Sequence, residues 1–346
     1  MKRIILVPLM MLVVCSLILV GSAGPASCKP ILLKFATSFP KQAAVAPGLV
    51  WWAEEVEKQS KGRVKFDFYP GQSLFKASEM IDSVMGRVAD ISNMGLTSSM
   101  KRFPINQIQC LPTNNFPSTI DGLLAVREAY LKLIEKYPVI MEEFRGFKLL
   151  MWIPQPPSVI VSAKEIRVPG DLKGLKLGAT GFDKEIVNYA GGAAVQVIPP
   201  TAYQAIERSV IDGIFCTYVH VKVHKLNEVC SHYLDYGFGH NITVILMNKD
   251  SWNELPADIR KIMDDNLYEA TLRSIKNQFV VMDKGEEAFK ASKGTIVTLT
   301  EDEKKAWRST RQPVEDAWIA NMKDLGVKGA NEMLSDLKKA QAEAWK

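Results

Sequence analysis

Ile31-Leu32-Leu33-Lys34-Phe35-Ala36, then a helical stretch with Leu49, Trp52 and Val56 on one face closed by Lys61-Gly62, then Val64-Lys65-Phe66-Asp67-Phe68-Tyr69: this succession decides the fold. The first piece is a short apolar run of strand length. The last alternates with the period of two that a pleated strand imposes, and Pro70-Gly71 stops it. Met80 and Val84 are spaced as on a helix, and Asp90-Ile91-Ser92-Asn93-Met94 reads as a third strand. The order βαβαβ implies a parallel, doubly wound sheet, because parallel neighbours need a crossover and the helices supply it. Ligands of such sheets sit beyond the carboxyl ends of the strands, here at Ser38-Phe39, Gly71-Gln72 and Met94-Gly95.

Outward from that unit, a helical region over 125–133 is followed by a strand at Lys148-Leu149-Leu150-Met151-Trp152. It runs into Pro154-Gln155-Pro156-Pro157, a stiff segment suited to a passage between domains. The theme then repeats with a strand at Val159-Ile160-Val161, the segment Leu172-Lys173-Gly174-Leu175-Lys176-Leu177-Gly178, a helix over 184–190, a strand at Val195-Gln196-Val197 and a helix over 202–209. Residues 241–247 read as a return strand. Leu255-Pro256-Ala257-Asp258 opens one long helix whose apolar positions include Ile259, Met263, Leu267, Ala270, Ile275 and Met282. The fold class is α/β, and the chain revisits its first half late.

Ahead of the first strand, Lys2 and Arg3 precede apolar residues 4–20 and the small-residue stretch Gly21-Ser22-Ala23-Gly24-Pro25-Ala26-Ser27. This is the pattern of a secretory signal peptide over 1–26, with cleavage after Ala23 or Ala26. A membrane anchor is the competing reading of so short an apolar run, and Pro8 and the small residues weigh against it. The residues before Cys28 lack the aliphatic side chain that lipid attachment requires. No later apolar stretch approaches spanning length, so the mature chain is expected to be periplasmic and not itself membrane-spanning. The 346 residues are 47% hydrophobic and 23% charged, the composition of a soluble globular protein. The balance of 43 basic against 38 acidic side chains is scattered, which gives no footing for nucleic acid. Cys28, Cys110, Cys216 and Cys230 are too dispersed for a disulfide scaffold, and a Cys216–Cys230 bridge is left open.

Three segments in order carry a resemblance. Tyr69-Pro70-Gly71-Gln72 precedes a helix ending in Val88-Ala89-Asp90. Asp171-Leu172-Lys173-Gly174-Leu175-Lys176 follows, and then Ala202-Tyr203-Gln204-Ala205-Ile206 leads to Val210-Ile211-Asp212-Gly213. With Glu254-Leu255-Pro256 before the long helix, the set resembles the DctP-like solute receptors of TRAP transporters over about residues 31 to 340. The resemblance implies a two-lobed, periplasmic-binding-protein-like (Venus-flytrap) fold with interrupted lobes, 31–154 plus 244–283 and 155–243 plus 284–346, bridged by a long helix. It further implies closure around one small organic ligand, delivery to TRAP membrane permease subunits, no catalysis and no cofactor. A stand-alone periplasmic ligand sensor is the alternative that sequence cannot separate.

The sequence departs from the family where a carboxylate ligand is usually held. The arginine expected after Leu-Lys-Gly-Leu-Lys-x falls on Gly178, a second on Ser158, and the asparagine usual after Asp-Gly on Cys216. Either Lys101 or Arg102 reaches the cleft instead, or the ligand is neutral, aromatic or amine-bearing rather than an ordinary organic acid, because an unpaired buried carboxylate costs roughly 3–5 kcal/mol. The expected ligand-binding residues are Ser38, Phe39, Met94, Gly95, Trp152, Gln155, Ser158, Gly178, Thr180, Phe182, Phe215, Cys216 and Tyr218. Phe39, Trp152, Phe182, Phe215 and Tyr218 would form an aromatic box, with core packing the competing reading for each. Gln155, Ser158 and Thr180 serve equally as ligand partners or turn formers.

Enzyme signals are thin. His220 and His224 have helical metal-ligand spacing but no evident third ligand. Gly237-Phe238-Gly239-His240 lacks the third glycine of a dinucleotide loop and reads as a turn. A secreted α/β hydrolase is the one rival enzyme class, without a nucleophile elbow to support it. The amphipathic tail over 332–345 is expected to pack on the protein, with permease docking as the alternative.

Overall fold

The structure is a computed structural model describing residues 29–112 and 118–344. The expected signal segment 1–26, its cleavage sites, Cys28 and Trp345 lie outside the described residues.

The opening unit forms as β1 (Ile31–Ala36), α1 (Ala46–Gln59), β2 (Val64–Tyr69), α2 (Met80–Met85) and β3 (Ile91–Gly95), with β1 parallel to both β2 and β3. Leu49, Trp52 and Val56 are buried together, as their helical spacing requires. Beyond α3 (Ile120–Lys136), β4 (Phe147–Pro157) continues straight through the proline segment instead of stopping at 152. The return strand β10 (His240–Asn248) inserts antiparallel between β3 and β4. The first sheet, in order β2-β1-β3-β10-β4, is therefore mixed rather than wholly parallel. Local periodicity has no access to the direction in which a distant strand returns.

The second sheet has the order β11-β9-β5-β8-β6-β7. It is built from β5 (Val159–Ser162), β6 (Lys176–Gly178), β7 (Ala193–Val195), β8 (Gly213–Cys216), β9 (His232–Leu234) and β11 (Thr295–Val297). Strand β7 starts two residues before the expected one. Helices α4 (Gly181–Tyr189) and α5 (Pro199–Glu207) each begin three residues early, because the turn at Thr180-Gly181 and the Pro199-Pro200 pair fix their first turns. The short α6 (Tyr218–Val223) follows β8. The bridge left open between Cys216 and Cys230 is not formed, and Cys110, Cys216 and Cys230 are free and buried.

The expected single long helix breaks at Asn266 into α7 (Ala257–Asp265) and α8 (Leu267–Ala291). Asn266 Nδ2 donates to Ile262 O at 2.8 Å, a side-chain bond to the backbone that competes with the helical ladder. Helix α8 then packs on both lobes through positions that carry no side chain. A Cβ on Gly48 of α1 would stand 2.1 Å from Ser274 Oγ and 2.2 Å from Ala270 O; one on Gly285 of α8 would stand 2.0 Å from Tyr218 O of α6. Ser274 Oγ donates to Val45 O at 2.9 Å, and Gln278 Nε2 reaches Pro154 O on β4. The C-terminal helix α9 (Ala330–Ala344), grouped by the sequence with the second lobe, packs on α3. Met333 and Leu337 share a cluster with Tyr130 and Leu133, and Lys136 pairs with Asp336 at 2.6 Å. Among the described residues no helix is long and apolar enough to cross a membrane.

Gly285→Ala is expected to destabilise the protein. The contact with a backbone oxygen forces α8 and α6 apart at about 1–3 kcal/mol, which outweighs the ~1 kcal/mol an alanine ordinarily adds inside a helix. Gly48→Ala should behave alike at the other crossing, and urea unfolding of both variants against the parent reads the loss.

Candidate functional site

Two chain segments cross between the sheets, β4 into β5 at Pro157-Ser158 and Gly237-Phe238-Gly239 into β10. They are tied to each other: Ser158 N donates to Gly239 O and Phe238 N to Ser158 O, both at 2.9 Å. Against this tie lies a cavity of about 350 Å³, within the size range of small-molecule sites. Its walls are the loops after β1 and β3 on one side and those after β6 and β8 on the other, the carboxyl ends where an α/β sheet offers its ligand sites.

Nine of the thirteen residues expected from sequence line the cavity: Ser38, Phe39, Gly95, Gln155, Ser158, Thr180, Phe182, Phe215 and Cys216. The other four do not, and each has a physical reason. Met94 alternates with Asn93 along β3, so when Asn93 faces the cleft Met94 turns into the core, 2% exposed. Trp152 is stacked on Tyr130 with ring centroids 4.8 Å apart, inside the first lobe. A side chain at Gly178 would start toward Ile214 and Ile211, 3.0 and 3.2 Å away, and not into the cleft. Tyr218 lies 3.5 Å from Tyr233, ring on ring, in a separate cavity with Met282 and Arg311. The aromatic box thus reduces to Phe39, Phe182 and Phe215. Gly71 and Gln72 brace the loop after β1 through bonds to Phe39 O and Thr37 O and do not reach the cavity.

Local chemistry fixes the walls. Asn93 Oδ1 accepts from Ser38 N at 2.8 Å and its Nδ2 donates to Ser38 Oγ, which ties the β1 loop to β3. Gly181 begins α4 at φ +56° with Thr97 3.2 Å from where a Cβ would be, so a left-handed turn and a close approach of the lobes both call for glycine there. Gln155 Nε2 donates to Thr243 Oγ1 at 2.6 Å and Thr97 Oγ1 to Asn241 Oδ1 at 2.9 Å.

Electrostatically the cleft is one-sided. Among the described residues no Lys or Arg lines it, and neither Lys101 nor Arg102 reaches it. Asp183, in the first turn of α4, does; its Oδ1 accepts from Ser158 Oγ at 2.8 Å. Burial pushes its carboxyl up to about 7, and the Ser158 hydroxyl pulls the other way. His240, 2% exposed, donates from Nδ1 to Gln155 O at 2.8 Å, a carbonyl that can only accept, so the proton is on Nδ1 and Nε2 is an acceptor with no partner. Burial lowers His240 to about 4, and burial lowers His220 to about 4 with His224 adding to it. The His220 and His224 rings stack at 5.8 Å, but among the described residues no three His, Cys, Asp or Glu side chains gather into a metal site. Sequence reasoning missed Asp183 and His240. An acid three residues after the threonine that precedes α4 was the available signal for the first, and none existed for the second.

The comparisons agree with this architecture. The family model of DctP, bacterial extracellular solute-binding protein family 7, matches residues 35–321. The C4-dicarboxylate-binding periplasmic protein DctP of Rhodobacter capsulatus is 24% identical over 84% of this chain and 87% of its own. A TRAP periplasmic solute-binding protein from Desulfovibrio salexigens, solved in an open complex, superposes with a TM-score of 0.80 at 26% identity, covering 90% of this chain and 96% of that one. One from Rhodoferax ferrireducens, solved with copurified benzoate, gives 0.79 at 24% identity over 91% and 98%. The chain belongs to family 7 of the bacterial extracellular solute-binding proteins, two-lobed α/β receptors of TRAP type that bind small organic ligands outside the cytoplasm.

Folding holds His240 neutral down to about 4, whereas the free imidazole titrates near 6.5. Between those values the unfolded chain binds the extra proton, so this residue's contribution is intact above about 6.5 and is lost as pH falls toward 4. Asp183, raised in the fold, acts in the opposite sense between about 4 and 7. The readout is therefore the difference made by His240→Asn, which keeps a donor toward Gln155 O. Relative to the parent, the variant should gain up to about 1.4 kcal/mol per pH unit of acidification in this window, measured by urea unfolding at pH 7, 5.5 and 4.5.

Proposed function

We propose that this receptor, exported to the periplasm after removal of residues 1–26, closes its two lobes on one small organic molecule and delivers it to TRAP membrane permease subunits. The ligand is bound without an arginine clasp. One observation carries this last point: among the described residues the inter-lobe cavity presents no guanidinium or ammonium group, and its one charged side chain is the carboxyl of Asp183. In receptors that share the fold the occupants include benzoate, in the protein from Rhodoferax ferrireducens. A carboxylate in this cleft would lose its hydration and gain no bidentate cation, a loss of about 100-fold or more in affinity. Closure supports the reading energetically, since a ligand shifts a hinge equilibrium only by the contacts it gains with both walls, and both walls of this cavity carry polar groups.

Benzoate and succinate at 10 mM are accordingly expected to stabilise the protein by about 1 kcal/mol or less, a shift of ~2–4 °C in melting midpoint. A rise several times larger, abolished by Ser158→Trp in the cleft floor, would restore an acid ligand.

A further inference from the structure

Resting on the receptor reading, we propose that the cleft selects a ligand bearing an ammonium group, gripped by the Asp183 carboxylate and by His240 Nε2. The argument starts from which hydrogen-bonding groups remain available. Four side-chain donors of the cleft are engaged: the Ser158 hydroxyl on Asp183, the Gln155 amide on Thr243, the Thr97 hydroxyl on Asn241 and the Asn93 amide on Ser38, while the Thr180 hydroxyl, which caps nothing, stays a neutral donor. Two acceptors are also open. Ser158 is the donor Asp183 has among the described residues, which leaves the rest of the carboxylate facing the cavity. His240 Nε2 is buried and bare, its acceptor role enforced by the Nδ1–H bond to Gln155 O.

Both acceptors belong to residues lining the same cavity. The Ser158 hydroxyl holds Asp183, while the Ser158 backbone is paired with Gly239, the residue before His240. The proposal places one small group at that tie, against both. An ammonium has two or three N–H donors and a positive charge to satisfy them, and Phe182 and Phe215, which line the cavity, add apolar wall for its alkyl part. A hydroxyl has one hydrogen and leaves one acceptor unmet. An anion has none and stands against a like charge. Burial that lifts Asp183 to about 7 in the empty cleft works with this, because a bound cation restores the charged form at the moment closure would otherwise penalise it.

The test uses the full receptor and three matched sets at 10 mM and constant ionic strength: benzylamine, benzyl alcohol and benzoate; cyclohexylmethylamine, cyclohexylmethanol and cyclohexanecarboxylate; butylamine, butanol and butyrate. At least one amine is expected to raise the melting midpoint where its alcohol and acid do not. By calorimetry Asp183→Asn should then weaken that amine by about 10- to 100-fold, with Asp183→Glu recovering part of the loss. Should Asp183→Asn not fold by near-ultraviolet circular dichroism, Ser158→Ala takes its place and should weaken the amine severalfold. Stabilisation by acids or alcohols alone overturns this inference and leaves the receptor reading standing, and so does an amine shift undiminished in Asp183→Asn. No shift from any of the nine compounds overturns this inference and leaves the receptor reading standing.

Discussion

The packing of one long helix against both lobes, at two places where a methyl group would not fit, sets the geometry on which the rest depends. Helix α8 meets α1 over Gly48 and α6 at Gly285, and Ser274 fastens the first crossing to Val45. Approaches this close leave no room for a side chain and set how near the helices lie, at the crystal-like density of a protein interior. The chain also crosses between the sheets in two segments outside any helix, at the end of β4 and on the approach to β10, and these lie side by side through the Ser158–Gly239 and Phe238–Ser158 bonds.

Those strands are also where the cleft acquires its polarity. Gln155, Ser158 and His240 each serve twice: Ser158 joins the two crossings through its backbone and reaches Asp183 with its hydroxyl, while Gln155 O settles which nitrogen of His240 is bare. In the proposed receptor cycle a rotation at the crossings would move the atoms that line the cavity, which would join binding and closure in one equilibrium.

Much of this was legible in the sequence where the signal is local. The alternation of Val64-Lys65-Phe66-Asp67-Phe68-Tyr69 and the spacing of Leu49, Trp52 and Val56 are properties of neighbouring residues, and the first sheet and its helix formed accordingly. The family motifs placed the fold, and of the strand-end positions Ser38, Phe39 and Gly95 line the cavity while Gly71, Gln72 and Met94 do not. What failed needed information that hydrophobic periodicity does not carry. The direction of β10 depends on where a late segment re-enters. The break at Asn266 follows from a side chain choosing Ile262 O one turn back, and Trp152, expected at a strand end, lies within β4 and stacks on Tyr130 of α3. Asp183 and His240 show the same limit: each is set in the cavity wall by a hydrogen bond, to Ser158 or to Gln155, that the sequence does not announce.

The three described thiols are each buried, and burial pushes Cys110 and Cys230 up to about 12 and Cys216 well above its ordinary value. Since thiolate is the form that attacks disulfides and meets oxidants, these sulfurs are chemically mute in the native state. Their vulnerable interval is the unfolded chain, before the second lobe encloses Cys216 and Cys230. Without a crosslink among them, these cysteines owe their redox immunity to enclosure in the folded chain.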